Sequence, residues 1–350
     1  MTVDSFSEAE MLVDEFGPRA PGSDAERRAA KHLAARLGEL GREAEVETFP
    51  VWPAWATGYA INAAVAVIGS ILSVSSGTLG TIVVLVATVL TFLDLSGILP
   101  TTRRLLGRRA SQNVVSWGDR DKPGALFLVA HYDSGPTRTR ALHPLFLAML
   151  VLLACCVLRA AGMSGTALTV VQFIPTATLI VYVALLLDVI LSPAAPGEND
   201  NASGVAVVLR ATERLDQDGL DSFGVHVVFT GSQKAMAQGM RAFLKAHRGE
   251  LTSGDVALVN VDSVGSGELR LTKKEGPLLS TKSHPQLLGL VDTDTFANRE
   301  PSDGYAASSA GIAATTIRAD GARLEEEALA EADELVVELA QSLDEELSQP

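Results

Sequence analysis

Four stretches of this chain, Ala56 to Ser76, Thr78 to Leu99, Leu142 to Leu158 and Ala167 to Leu191, are apolar around nearly their whole helical circumference. A hydrocarbon core needs about 20 such residues, and the length and consecutive pairing of the stretches do not suit buried core helices. Two membrane-spanning hairpins are predicted, the first turning at Ser75-Ser76-Gly77-Thr78 and the second between Arg159 and Thr166. Elsewhere the pattern changes. Leu126 to Ala130 and Val225 to Phe229 are apolar runs of strand length, and the second leads into an Ala/Met/Leu-rich helical run. Strands alternating with helices predict an α/β fold: a mixed, mostly parallel sheet flanked by helices and interrupted by the two transmembrane hairpins. Near the C-terminus, Leu324, Ala328, Leu335, Val336, Leu339 and Leu343 mark an apolar face opposite a run of glutamates. That predicts a solvated helix docked on the sheet.

The hairpins divide the chain into a discontinuous soluble domain (1–54, 100–141 and 192–350) and two insertions (55–99 and 142–191). Each insertion holds an even number of spans, so the soluble pieces return to one side and can form one sheet. Arg103, Arg104, Arg108, Arg109, Arg138 and Arg140 flank the spans, whereas the hairpin loops carry only Arg159, which places the soluble domain in the cytoplasm. The polar first 50 residues contain no signal peptide. Over the 350 residues, a mean hydropathy of +0.23 and 47% hydrophobic content exceed what an ordinary soluble enzyme carries. A net charge of -14 argues against nucleic acid as a partner. Cys155 and Cys156 lie inside the third span and imply no disulfide framework. Asp94 and Asp188 lie near the cytoplasmic ends of the second and fourth spans, where each can snorkel to the interface, and Pro175 should kink the fourth.

Candidate chemistry is concentrated in four blocks. Phe16-Gly17-Pro18-Arg19-Ala20-Pro21-Gly22-Ser23 precedes an Ala/Arg/Leu-rich helix. The strand Leu126 to Ala130 ends in His131-Tyr132-Asp133-Ser134, Pro196 to Gly204 contains Glu198, Asp200 and Asn201, and Val259 to Gly265 contains Asp262. Their order and content resemble metallopeptidase family 28, the zinc exopeptidases that include the bacterial leucine aminopeptidase and glutamate carboxypeptidase types. The resemblance implies a zinc-exopeptidase fold and two zinc ions that acidify a bridging water and polarise the scissile carbonyl. It assigns His131, Asp200 and Asp262 to one metal, with Asp133 orienting the imidazole from behind.

The chain departs from the family at the second metal. Phe229, Gly231, Gly239 and Phe243 fix the register of the segment that should carry a general-base Glu and a ligand Glu, and the pair here is Gln233-Lys234. No acid occurs between Asp221 and Glu250, and no histidine follows His284, so the late histidine ligand is missing too. Gly304 replaces the histidine common after Ser302-Asp303. An amide accepts no proton at neutral pH, which forfeits about 10²- to 10⁴-fold of general-base catalysis. Lys234 is expected to pair with Asp200 and stand in for the second cation. The cofactor expectation is therefore one zinc or none, and the partners are the bilayer and a membrane-proximal peptide or protein.

Three functions follow. The first is a membrane-anchored pseudopeptidase that binds or scaffolds. The second is a single-metal peptidase or amidohydrolase using Glu198 as base. In the third, the spans transport or assemble and the soluble domain regulates. His143, His226, His247 and His284 fall outside the motif and default to surface or core roles.

Overall fold

The computed structural model describes residues 3–252 and 255–348. Helices α1 (Ser5–Phe16) and α2 (Asp24–Glu39) lead into strand β1 (Glu45–Val51). Two long helices, α3 (Trp55–Ser75) and α4 (Gly77–Leu95), precede β2 (Arg109–Ser116) and β3 (Gly124–His131). A second long pair, α5 (His143–Ala160) and α6 (Thr166–Leu191), separates β3 from α7 (Ser203–Asp218). The chain continues through β4 (Phe223–Thr230), α8 (Gln238–Ala246), β5 (Asp255–Val261), β6 (Arg270–Glu275), β7 (Thr281–Lys282) and α9 (Pro285–Gly289). It ends with β8 (Thr295–Asn298), α10 (Asp303–Ser309), β9 (Ala313–Arg318) and α11 (Glu326–Ser348).

Among the described residues the strands form one mixed sheet in the order β1-β2-β4-β3-β5-β9-β6-β7, with β8 beside β6. Its centre, β4-β3-β5-β9, is parallel, and the outer pairings β1–β2, β2–β4, β6–β9 and β6–β7 are antiparallel. Helices cover both faces of the central strands, which explains why β3 and β4 read as unbroken apolar runs. One apolar cluster joins the sheet to α1, α2, α7 and α11, and a second joins the opposite face to α8 and α10. The C-terminal helix α11 joins the first of these clusters through Leu329, Val336, Leu339 and Ala340, as its apolar face predicts, and packs beside α7 and α1.

The four long helices pack into a separate apolar cluster around Tyr59, Val84, Met149, Leu152, Leu179 and Leu186. Each is long and apolar enough to cross a membrane. Ile71, Val74, Phe173 and Ile174 lie exposed on their outward faces. The second helix ends at Leu95, short of the expected Leu99, because the chain turns at Ser96 and Gly97. Gly97 has a φ of +69°, a conformation glycine adopts without strain. The fourth helix continues through Pro175 as one element.

Asp94 does not snorkel. It is buried and pairs with buried Arg103 at 2.8 Å, and Arg103 Nη1 donates to the Ala235 carbonyl at 2.8 Å. Asp188, partly exposed at the end of α6, is held by Arg138 and Arg140. The difference follows from place: Asp94 faces the seam between helices and sheet, whereas Asp188 lies at the rim.

Candidate metal centre

Parallel strands carry their following residues to one edge of the sheet, where α/β folds build their sites. The register brings His131 opposite Thr230, and Asn260 opposite Thr316, so the ends of β3, β4, β5 and β9 are aligned. His131 closes β3, Asp262 follows β5, and Asp200 comes from the loop ahead of α7. Asn201 holds that loop: its Nδ2 donates to Val261 O at 2.8 Å, and its Oδ1 accepts from Gly204 N and Ser263 N. Gly204 is required for this contact, since a Cβ there would stand 2.4 Å from both Asn201 Oδ1 and Val261 O.

Three predicted ligands meet. His131 Nε2 lies 3.1 Å from Asp200 Oδ1 and 3.6 Å from Asp262 Oδ1, and one donor atom from each residue falls within 4.8 Å of the others. A tetrahedral zinc with bonds of about 2.0–2.1 Å has edges of roughly 3.3 Å, so these separations suit such an ion. Buried polar atoms normally find partners, yet His131 Nε2 and Asp200 Oδ1 are buried without an aligned hydrogen bond. The donor set and its orphaned atoms fit one zinc.

Behind the imidazole, His131 Nδ1 lies 3.1 Å from the Asp133 carbonyl and 3.3 Å from its carboxylate. The Asp133 carboxylate itself accepts from the Gln233 and Lys234 amides at 3.0 and 2.9 Å. One aspartate thus orients the histidine and fixes the turn that departs from the family. Burial, and then Lys234, act to lower the His131 pKa, but Asp133, Asp200 and Asp262 outweigh them and hold it well above its ordinary value.

Where the second metal is expected, the structure places organic cations. Lys234 Nζ lies 2.7 Å from Asp200 Oδ1, off the direction of an aligned hydrogen bond. Burial works against the ammonium, but Asp200 and Asp262 raise its pKa above the ordinary lysine value. Arg318, at the end of β9, pairs with Glu300 at 2.9 Å, and its pKa is raised first of all by Asp262. Burial pushes the two ligand carboxylates up, but these cations together with His131 hold both below the usual carboxylate range. Gln233 turns its Nε2 to Pro301 O at 2.6 Å and leaves Oε1 buried without a partner.

The turn carrying Gln233 and Lys234 is constrained. Ser232, Met236 and Ala237 adopt φ values of +54°, +73° and +52°, each costing roughly 1–3 kcal/mol and persisting only where the surroundings enforce it. Here they do so. Buried Glu26 accepts from Ser232 N and Oγ at 2.8 and 2.9 Å, and Met236 is packed among the long helices. Burial, and secondarily the Asp133 charge, raise the Glu26 pKa to about 8. Buried Asp303, hydrogen-bonded by Thr230, is raised to about 7, chiefly by burial. Gly304 leaves no room for the family histidine, because even a Cβ would lie 2.3 Å from Thr316 Oγ1.

Sequence reasoning missed four supporting residues. Arg19, fully buried, donates to Tyr132 O at 2.7 Å and to Gly197 O at 3.0 Å, joining the opening turn to both ligand-bearing segments. Glu26, Arg103 and Arg318 act across distances in sequence that no local pattern reports. Two had a signal: Arg19 stands in the opening block Phe16 to Ser23, and Arg318 in Ile317-Arg318-Ala319-Asp320 where the family continues to its late histidine.

The site opens into a cavity of about 700 Å³ that reaches from Asp200, Lys234 and Arg318 to Trp55 and Leu142 at the ends of the long helices. Exposed Glu198 lines it. The remaining histidines stay outside it; His226, for example, is buried and accepts from Gly118 N.

Comparison with known proteins agrees with this architecture. The description of peptidase family M28 matches residues 113–325, and the chain belongs to that family. BSAP, a zinc aminopeptidase from Bacillus subtilis, superposes with a TM-score of 0.56 at 12% identity, covering 96% of this chain and 93% of its own. The aminopeptidase from Aneurinibacillus sp. strain AM-1 gives 0.56 at 12% identity over 97% and 92%. A Bacteroides thetaiotaomicron glutaminyl cyclase bound to N-acetylhistamine gives 0.55 at 12% identity over 96% and 96%. These likenesses establish the shared fold. No curated protein matches the chain.

Proposed function

We propose that this chain is a membrane-anchored, aminopeptidase-like protein that holds a single zinc and is impaired as a two-metal peptidase, using the fold to bind or scaffold a membrane-proximal peptide or protein. The observation that carries this reading is the Lys234 ammonium, 2.7 Å from the aspartate expected to bridge two metals. With Arg318 beyond it, the second half-site already holds positive charge, and a second divalent ion there would meet repulsion and too few ligands. His131, Asp200 and Asp262 would hold the zinc, which when bound supplies a Lewis acid and an acidified water. Asp133 orients His131 and holds the Lys234 turn, while Gln233 can donate to a ligand but cannot take its proton.

Anchoring is supported by the four apolar helices, by their exposed outward faces, and by the seating of the site cavity against their ends. The arginines at those ends support a cytoplasmic soluble domain. Glu198 on the cavity wall favours a second reading, single-metal hydrolysis with Glu198 as base.

Elemental analysis of detergent-purified protein tests the first reading, with His131→Ala as control. It expects one zinc per chain, none in the control, and no release of amino acid from peptides. Two zinc ions per chain, or turnover that survives Glu198→Gln, would overturn it. Turnover abolished by Glu198→Gln would establish the second reading instead.

A further inference from the structure

A second cavity, of about 370 Å³, adjoins the first and shares Trp55, Gly135, Pro136 and Lys234 with it. It lies between the start of α3, at Ala54, Trp55, Ala56 and Thr57, and the end of α6, at Val189 and Ile190. Its size suits a small ligand or headgroup. Apart from apolar and hydroxyl side chains, its lining holds two charged residues and no acid: Lys234, already paired with Asp200 at 2.7 Å, and Arg109. Arg109 is exposed and has no ion-pair partner among the described residues. Arg140 and Arg103, by contrast, are neutralised by Asp188 and Asp94.

A slot bounded by the ends of two bilayer-length helices and by turns of the sheet domain, and carrying the unpaired guanidinium of Arg109, matches the interfacial part of an anionic amphiphile. We infer that this slot binds one acidic phospholipid from the adjoining leaflet, its phosphate against Arg109 and its upper chains against the ends of α3 and α6. The inference rests on the anchoring proposed above. A lipid seated there would form part of the wall of the site cavity, because Trp55 and Lys234 line both spaces. Occupancy of the site would then depend on leaflet composition.

The test uses the full chain in nanodiscs of phosphatidylcholine mixed with phosphatidylglycerol, with retained lipid read by native mass spectrometry. One phosphatidylglycerol per chain is expected in preference to phosphatidylcholine. Arg109→Gln should weaken that preference about fivefold, the equivalent of ~1 kcal/mol for one cation at an anionic surface, and Arg109→Lys should keep it. Equal retention of the two lipids, or an unchanged preference in Arg109→Gln, would overturn the slot. Displacement of the lipid by glycerol phosphate alone at matched concentration would also overturn it, by showing a phosphate site indifferent to the chains. Release of the protein from membranes by alkaline carbonate would remove the anchoring and the slot together, whereas retention in membranes without lipid preference would remove the slot alone. Zinc content reports separately on the metal reading.

Discussion

The two halves of the metal centre, built from adjacent strand ends, have opposite characters. On one side His131, Asp200 and Asp262 converge with orphaned buried atoms, and Asp133 stands behind the imidazole. On the other, Lys234 and Arg318 supply positive charge, and Gln233 is turned toward Pro301. The fold is kept across both, because an ammonium can neutralise Asp200 much as a metal would. In the proposed function, half of the two-metal chemistry is given up while the electrostatic balance around Asp200 is retained.

The contrast predicts graded effects. The largest is in metal content: His131→Ala or Asp262→Asn should take bound zinc from about one per chain to none, while Gln233→Ala leaves it unchanged. Zinc retained in His131→Ala would erase the distinction between the halves. Next is the buried pair that holds the Lys234 turn from behind. Asp94→Asn leaves Arg103 uncompensated and should cost about 3–5 kcal/mol in thermal unfolding in detergent, whereas Asp188→Asn at the rim should cost about 1 kcal/mol or less. Equal losses would show that burial does not separate them. Lys234→Met comes third. Asp200 is 43% exposed, so stranding it should cost only about 1–2 kcal/mol, measured with chelator present. If saturating zinc restores that loss, the two cations are alternatives for one carboxylate.

Taken per pH unit, the smallest effect is a slope of stability against pH. Asp303 has a folded-state pKa of about 7 against an ordinary 3.8. The unfolded chain ionises first, so this group's stabilisation is complete below the ordinary value and is lost as pH rises toward 7. The slope is at most about 1.4 kcal/mol per pH unit, and Asp303→Asn should flatten it. Below pH 4 the sign reverses, because the depressed Asp200 and Asp262 lose their contribution as they are protonated. A profile unchanged by Asp303→Asn would remove Asp303 from this account.

Much of this was legible in sequence, for identifiable reasons. The candidate ligands Asp200, Asp262 and His131 lie at strand ends or in short loops, where local pattern and order in the chain suffice to place them. The loss of Glu at 233 and 234 could be read because flanking glycines and phenylalanines fix the register. What could not be read are side chains that work at long range. Arg19 bonds to Tyr132 and Gly197, Glu26 to Ser232, and Arg103 to Ala235. Each is ordinary in its own segment, and only the closing of the sheet gives it a partner. Asp94 shows the same limit: hydropathy put it near an interface and said nothing of the arginine waiting there.

The turn that carries Lys234 ends in Met236, which belongs to the interior of the long-helix bundle, and its Ala235 carbonyl is held by Arg103. The usual shortcut for such a chain, trimming away the greasy helices to obtain a tractable globular fragment, therefore removes part of the scaffold of the site itself. Inactivity or lack of metal in a trimmed fragment would describe the surgery and not the protein.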